Sequence, residues 1–513
     1  MTSSQTSDLS KAIDQLYDPE TFSRAGEAVL KQIAEYLSDA QARVGSVLTA
    51  RPPEQNMQDV RARLKADRNV DPANSAEIAT TTAAMIGQFF ANTQRLHHPG
   101  YIGHQLPPAI PIAALFEFAA DVANQGMAIY ELGPWATAVE KVMVERLGEQ
   151  LGFEPNSFSG LVTSGGTLAN LTALLTARNK LLDDVWKKGL CRGATPPVII
   201  THMESHYSVE RAAGILGIGS EQCLYVASDR SGRTDPVALA ELLESLKKSN
   251  TPVIAVVASA CATRTGSFDP LHKIADLCEK YDVWLHVDAA HGGAVSFSSR
   301  HRHLIEGIER ADSVIWDAHK MLFMPTLSTY LFYKRPRDKY VAFSQDAPFL
   351  FVENGDGAHE YDCGLATAEC TKRAAALSLW GVLSIYGTSI YETLIDRIFD
   401  ITAMFVDSLS KISKIEMPVS PEFNIVLFRY VPSDASINAD AYNKALRVYI
   451  VERGGLYLTT TTYNGVLYLR FVVMNPRTDD TELNVLVSAL HSFAESWETT
   501  PPPYKGLHPV LEV

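Results

Sequence analysis

Two residues in one stretch of this chain can do chemistry together. Asp288 closes the strand-like apolar run Val283-Trp284-Leu285-His286-Val287 and opens into Ala289-Ala290-His291-Gly292-Gly293. Lys320 ends Asp317-Ala318-His319-Lys320, just after a second such run, Ser313-Val314-Ile315-Trp316. Strand ends in an α/β sheet are where ligands bind. A carboxylate and an amine placed there can meet across one small aromatic cofactor. Pyridoxal phosphate needs that pair: a lysine to form a Schiff base with its aldehyde, and an aspartate to keep its pyridinium nitrogen protonated. Taken singly, Asp288 reads as a strand-end carboxylate capping a loop and Lys320 as a surface lysine.

The elements that would position this pair follow from hydrophobic patterning. Val198-Ile199-Ile200, Cys223 to Val226, Val253 to Val257, Val283 to Val287 and Val314-Ile315-Trp316 read as buried strands. Helices fit between them, for example Pro236 to Leu246 and Leu271 to Lys280, and Leu327 to Tyr333 reads as a further strand. That alternation predicts a mostly parallel sheet with helices on both faces. Before it, Phe22 to Ala40 and Ile78 to Phe90 carry apolar residues at helical spacing. A helical arm of this kind cannot bury its apolar face alone. After Gly387 the pattern predicts a long helix to Leu409, strands over Phe423 to Tyr430, Gly455 to Thr459 and Val466 to Val473, and helices over Ala439 to Val451 and Glu482 to Ser496. Thr499 to Pro503 reads as an extended tail.

From His97 to Trp380 the chain resembles the group II pyridoxal-phosphate-dependent amino-acid decarboxylases, a family that includes glutamate, aromatic-amino-acid, cysteine-sulfinate and diaminobutyrate decarboxylases. The Val287-Asp288-Ala289-Ala290 run, the His319-Lys320 ending and the spacing between them carry the resemblance. A fainter echo runs from Leu469-Arg470-Phe471 to Asn475-Pro476-Arg477. The resemblance implies the type I fold of pyridoxal-phosphate enzymes: a large domain around a mostly parallel sheet, and a small α+β C-terminal domain. The expected division is an arm over residues 1–96, a cofactor-binding domain over 97–387 and a small domain over 388–513.

Leu161-Val162-Thr163-Ser164-Gly165-Gly166-Thr167-Leu168-Ala169-Asn170 reads as a strand, a glycine turn and a helix start. Such a turn caps a helix, and it also offers backbone N–H groups and a positive dipole end to an anion. The resemblance favours the second use, with Gly165, Gly166 and Thr167 around the cofactor phosphate. His206 opens a helix after Val198 to Thr201, and its position matches the family's histidine that stacks on the pyridine ring. Ala290 is small where the family packs the other ring face. Thr263 is expected to contact the cofactor or the substrate. In the family the residues matching Asp317 and His319 help hold the phosphate. A carboxylate at Asp317 would repel it, so orienting a neighbouring donor stands as the alternative. No spacing reads as a metal site.

The function this implies is decarboxylation of an L-amino acid to its amine and CO₂. Lys320 forms the internal Schiff base and Asp288 keeps the ring electron-withdrawing. Two alternatives stay open: an aldehyde synthase or C–C lyase on the same fold, the former releasing ammonia and peroxide, and a non-catalytic homologue that binds the cofactor. Arg95 to Gln105 forms either a turn with a buried tyrosine or part of the substrate pocket, with His98, Tyr101 and Gln105 as its candidates. Ile102-Gly103-His104-Gln105 is more similar to bacterial diaminobutyrate decarboxylases than to the Arg-Phe-Phe-Asn-Gln run of glutamate and cysteine-sulfinate enzymes. The identity of the amino acid stays open. Phe349 to Gly364 is long, polar and glycine-bearing, which predicts a lid. In relatives a lid tyrosine donates the proton to the substrate carbon. Here Tyr361 and Cys363 both stand near that position.

Size and charge bound the remainder. The 513 residues are too many for one ordinary core. A net charge of −14 argues against a nucleic-acid partner, because phosphate contacts need a basic surface. No apolar run reaches the ~18 residues that span a bilayer. The six cysteines show no CxxC and no zinc pattern. A cytoplasmic homodimer acting on a small-molecule amino-acid substrate, with no nucleic-acid or membrane partner, is the expectation.

Overall fold

The structure is a computed structural model that describes residues 10–11, 13–49, 51–65, 70–190, 195–343 and 358–499. The expected tail beyond Thr499 and the first part of the expected lid, through Gly357, lie outside the described residues. The chain forms two compact units. The larger holds His104–Arg429 and Arg470–Pro476; the smaller holds Met1–Gly103, Tyr430–Leu469 and Arg477–Val513.

The larger unit is built on a seven-stranded sheet. Its strands are β1 (Ser159–Thr163), β2 (Val198–His202), β3 (Cys223–Val226), β4 (Val253–Ser259), β5 (Trp284–Asp288), β6 (Ser313–Asp317) and β7 (Thr329–Tyr333). Their order is β1-β7-β6-β5-β4-β2-β3. The run β6-β5-β4-β2-β3 is parallel. β7 lies antiparallel to both β6 and β1, so β1 points the same way as the parallel strands. The mostly parallel sheet read from the alternation is therefore present, with one reversed strand. The reversal has a local cause. The eleven residues between β6 and β7, Ala318–Ser328, contain no helix, and a parallel return needs a crossover of a dozen or more residues.

Helices cover the sheet. Gly166–Leu181 buries Ala169, Ala173, Leu174 and Ala177 against Ile199, Val257, Ile315 and Leu331. Leu271–Tyr281 is strongly amphipathic and buries Ile274, Ala275 and Cys278. Fully burying one such side chain contributes roughly 1.5–3 kcal/mol before conformational entropy is counted. Burial on both faces is why these strands are apolar without alternation.

In the smaller unit, Asp18 caps the helix Pro19–Gln41 by accepting from the Thr21 N–H at 2.8 Å. That helix packs on Ser75–Asn92, with Tyr36 stacked on Phe90 at 4.4 Å. Arg43 ties this pair to the C-terminal helix through Glu482, 2.7 Å, and Asp479, 3.0 Å. The strand expected at Gly455 to Thr459 is corrected: the strand runs Thr459–Tyr463. Gly454 has φ +77°, which turns the chain, and extended pairing begins only beyond it. The strand then returns through Asn464 and Gly465, both at positive φ, into Val466–Val472. That is the backbone of a two-residue hairpin turn.

Among the described residues, no helix is long and apolar enough to cross a membrane. No described group of histidine, cysteine and carboxylate side chains could hold a metal ion. The five described cysteines are free.

Candidate active site

Six strands point the same way and end along one edge of the sheet, and the ends of five of them carry most of the candidate residues. Asp288 is the last residue of β5 and Asp317 the last of β6. β1 ends at Thr163 and turns through Gly165 into the helix Gly166–Leu181. β2 and β4 lead to His206 and Thr263. Together these line a cavity of about 480 Å³, in the range typical of small-molecule sites. Gly165, Gly166, Thr167, His206, Thr263, Asp288, Ala290, Asp317, His319 and Lys320 all reach its wall.

The cavity has two anionic poles. At one, Asp317 receives the Lys320 ammonium at 3.1 Å and the Thr329 hydroxyl at 2.5 Å. The register places Thr329 between Asp317 and Thr163. Burial pushes the Asp317 carboxyl up, but Lys320, His319 and Thr329 outweigh it and hold the group below its ordinary value. Burial likewise lowers the Lys320 amine, and Asp317 and Asp288 more than reverse that. Asp317 is therefore engaged by donors of its own. His319 is held by the Ser328 backbone: Nδ1 lies 3.0 Å from the Ser328 carbonyl oxygen and 3.3 Å from its nitrogen, which turns Nε2 toward Asp317, 3.6 Å away.

At the other pole, Asp288 Oδ1 accepts from the Ala290 N–H at 3.1 Å, and Oδ2 from Asn170 Nδ2 at 2.9 Å. Ala290, a small side chain, lines the same cavity. His206 Nδ1 lies 2.7 Å from Ser208 Oγ. Burial holds its imidazole below the ordinary value, with Asp288 opposing and Lys320 adding to the effect. The helix Gly166–Leu181 opens at this wall, where its first N–H groups have no intrahelical partner. Gly165 has φ +135°, a conformation that side chains rarely adopt. A Cβ on Gly166 would stand 3.1 Å from Asp317 Oδ1.

These residues fit pyridoxal phosphate. An amine, a carboxylate fixed by two donors, an imidazole and a helix N-terminus surround one cavity of suitable size. The match to known proteins agrees. The model of the pyridoxal-dependent decarboxylase conserved domain matches residues 77–431.

The chain belongs to this decarboxylase family.

It is 32% identical to an L-2,4-diaminobutyrate decarboxylase of Rhizobium meliloti (strain 1021), over 82% of this chain and 84% of that protein. It is 27% identical to the human acidic amino acid decarboxylase GADL1, over 93% of this chain and 92% of that protein. The crystal structure of mouse CSAD superposes with a TM-score of 0.84 at 25% identity, covering 93% of this chain and 99% of that one. This member of the family has the type I fold and is a pyridoxal-phosphate-dependent amino-acid decarboxylase, a carboxy-lyase.

The remaining candidates sit elsewhere. His98 and Tyr101 belong to the smaller unit. There, Tyr101 is buried and stacks on Tyr457 at 5.7 Å, and His98 Nδ1 accepts from the Gly100 N–H at 2.9 Å. Gln105 belongs to the larger unit, where its Oε1 lies 3.5 Å from Arg470 Nη2. Tyr361 and Cys363 are not among the residues lining the cavity. Tyr361 is 45% exposed, packs edge-on against Tyr130 at 5.7 Å and lies under Lys141.

Three residues near the cavity were not singled out from sequence. Asn170 bonds Asp288 directly; a lone buried amide on an otherwise apolar helix face is the signal that marks it. His286 sits two residues before Asp288, hence on the same strand face. Arg470 is buried and donates to the Thr263 carbonyl at 2.8 Å, a partner 207 positions away.

Proposed function

We propose that the chain converts an L-amino acid to the corresponding amine and CO₂ with Lys320 holding the cofactor aldehyde and Asp288 its ring nitrogen. The observation that carries this reading is that Lys320 and Asp288 wall one cavity with the glycine turn and His206. When bound there, pyridoxal phosphate supplies an electron-accepting ring that takes up the charge left on Cα as CO₂ departs. The protein's own groups do the rest. Lys320 provides the amine, and Asp317 at 3.1 Å keeps it pointed into the cavity. Asp288 offers a fixed carboxylate that stabilises a protonated ring nitrogen. The N-terminus of Gly166–Leu181, with Gly165, Gly166 and Thr167, receives the phosphate dianion. His206 covers one face of the ring and Ala290 leaves room at the other. His319 and Thr263 complete the wall. Arg470, buried behind Thr263, gives the substrate carboxylate an opposite charge.

Protonation of Cα gives the amine, and Tyr361 or Cys363 is the donor in this reading. His98, Tyr101 and Gln105 are read as the substrate-side residues. The arm over residues 1–96 exposes Leu64, Phe89, Val60 and Met57. A symmetric homodimer that covers them, in the cytoplasm, is the assembly we favour. Sedimentation of the full chain as a fully active monomer would contradict it.

Lys320→Ala decides the core of the proposal. Borohydride treatment of the cofactor-loaded wild type should fix the cofactor's mass on the peptide carrying Lys320. The alanine variant should take no such label and release no CO₂ while keeping its circular dichroism. CO₂ release at the wild-type rate from the purified variant would overturn the assignment. Screening amino acids that include glutamate, diaminobutyrate and aromatic side chains for CO₂ release identifies the substrate.

A further inference from the structure

Behind Asp288 runs a line of buried polar groups that the catalytic reading leaves unused. Trp284 Nε1 lies 2.9 Å from Ser313 Oγ, which lies 2.8 Å from His286 Nδ1. His286 Nε2 lies 2.8 Å from Asn170 Oδ1, and Asn170 Nδ2 lies 2.9 Å from Asp288 Oδ2. The same Asn170 nitrogen reaches Ser208 Oγ at 2.9 Å, and Ser208 Oγ reaches His206 Nδ1 at 2.7 Å. Asn170, His286, Ser313 and Ser208 are buried.

The directions follow from the Asp288 end. A carboxylate only accepts, so Asn170 donates to Asp288 and turns its Oδ1, an acceptor, to His286 Nε2. A neutral His286 then carries its proton on Nε2 and donates it to Asn170 Oδ1. Its Nδ1 accepts from the Ser313 hydroxyl, which in turn accepts from the Trp284 indole N–H. That leaves the Asn170 amide hydrogens for Asp288 and Ser208. Turning the amide over would set its oxygen against the carboxylate. The Ser208 backbone N–H donates to His206 Nδ1 at 3.3 Å, so Nδ1 is an acceptor, the Ser208 hydroxyl donates to it as well, and the neutral His206 ring carries its proton on Nε2. One side chain, Asn170, thus orients both the carboxylate and the imidazole of the cavity. A protonated His286 would lose its bond from Ser313, and burial keeps this ring neutral down to about pH 4.

We propose that Asn170 and His286 are positioning residues that hold the Asp288 carboxylate in place on the cavity wall and fix the Nε2–H tautomer of His206. This rests on the reading of Asp288 as the ring-nitrogen partner. A neutral relay suits that task. It supplies Asp288 with a donor but no cation, so no second positive charge competes with the ring nitrogen for the carboxylate.

The test uses holoenzyme loaded with pyridoxal phosphate carrying ¹⁵N in its ring, with the ring ¹⁵N shift and steady-state kinetics as readouts. Asn170→Leu should move the ring resonance toward the unprotonated position. It should also lower kcat by about 10–100-fold, the scale seen when groups that orient metal ligands are removed, with KM changed far less. His286→Leu should do the same more weakly. His286→Gln, which keeps a donor near the Nε2 position, should recover most of that loss. A merely structural role would leave the ring resonance unmoved and would make Gln no better than Leu. Either result in a folded variant overturns the inference, and the two His286 variants decide it if Asn170→Leu fails to fold. Asp288→Asn separates the two failures. If it leaves the ring resonance at the wild-type position, the reading of Asp288 falls. If it shifts the resonance and the Asn170 and His286 variants do not, only the relay falls.

Discussion

The hydrogen-bonded line behind Asp288 and the turns around Tyr361 are both candidates for handling protons, and they are built in opposite ways. The first lies on strand ends and one helix, is buried throughout, and has each polar atom answered by another. The second is a pair of short 3₁₀ turns, Ala358–Tyr361 and Cys363–Leu365. Its ties include an N–H from Tyr130 to Asp362 at 2.9 Å, an N–H from Gly364 to Ala128 at 2.8 Å, and an ion pair between Lys141 and Glu360 at 3.4 Å. Glu360 is largely exposed, and such surface pairs contribute about 0–1 kcal/mol. The contrast separates two demands. Charge at the ring nitrogen needs a carboxylate that never moves. Delivery of a proton to Cα needs a group that arrives after the substrate does.

The largest effect should come from removing charge at the rigid pole while keeping its shape. Asp288→Asn preserves the side-chain volume and retains an acceptor for Asn170, but an amide cannot hold the ring nitrogen protonated. A loss of about 3 kcal/mol in transition-state stabilisation is about 10²-fold in kcat. Cofactor should still load, as read from its visible absorption. A variant retaining more than half its activity would show that the rigid pole is not where the ring charge is held.

A smaller and qualitatively different effect is expected at the turns. If Tyr361 delivers the proton, Tyr361→Phe should lower the amine-to-aldehyde ratio, because the substrate carbon then waits for dioxygen and releases ammonia and peroxide. If Cys363 delivers it, Cys363→Ala should do this and Tyr361→Phe should be mild. Burial pushes the Cys363 thiol up, which favours its protonated form. Quantifying amine and aldehyde from both variants decides between them. Wild-type ratios in both would remove the turns from the chemistry and leave the rigid wall, with His206, as the source.

The buried line behind Asp288 was far more legible in sequence than the turns around Tyr361. β5 and β6 were readable because burial on both faces makes them continuous apolar runs, and Asp288 and Lys320 stand out at their ends. The glycine turn before Gly166–Leu181 was readable because Gly165 occupies a conformation that suits glycine. The reversal of β7 was not read, although the helix-free Ala318–Ser328 connection implies it. Helices Pro111–Ala123 and Pro134–Leu151 were passed over. The second hides Glu140 in its buried face, paired with Lys372 at 2.5 Å, and a buried charge disguises an apolar stripe. Asn170 and Arg470 escaped because their partners are remote. Asp288 is 118 positions from Asn170, and Thr263 is 207 positions from Arg470. Spacing along the chain carries no trace of such pairs.

The smallest expected effect concerns stability and again sets the two regions apart. Burial, the largest cause in each case, drops His286 to about 4 and His291 to about 3, from 6.5 in an open chain. The unfolded chain therefore binds protons below pH 6.5 that the folded chain refuses until about pH 4 or lower. Where the unfolded state holds more protons, stability rises with pH. Stability contributed by these neutral rings is thus fully present above pH 6.5, is lost as pH falls from 6.5 to about 4 for His286 and to about 3 for His291, and levels off beneath those values. Each ring contributes a slope of at most about 1.4 kcal/mol per pH unit. Urea unfolding at pH 7, 6 and 5 should show this decline. His286→Gln removes one titrating ring and should flatten the slope by up to about 1.4 kcal/mol per pH unit. Tyr361→Phe should leave the slope untouched, because it removes neither of these rings. An unchanged slope in His286→Gln would mean that the ring takes up its proton with the fold intact, and the line behind Asp288 would then be looser than its geometry implies.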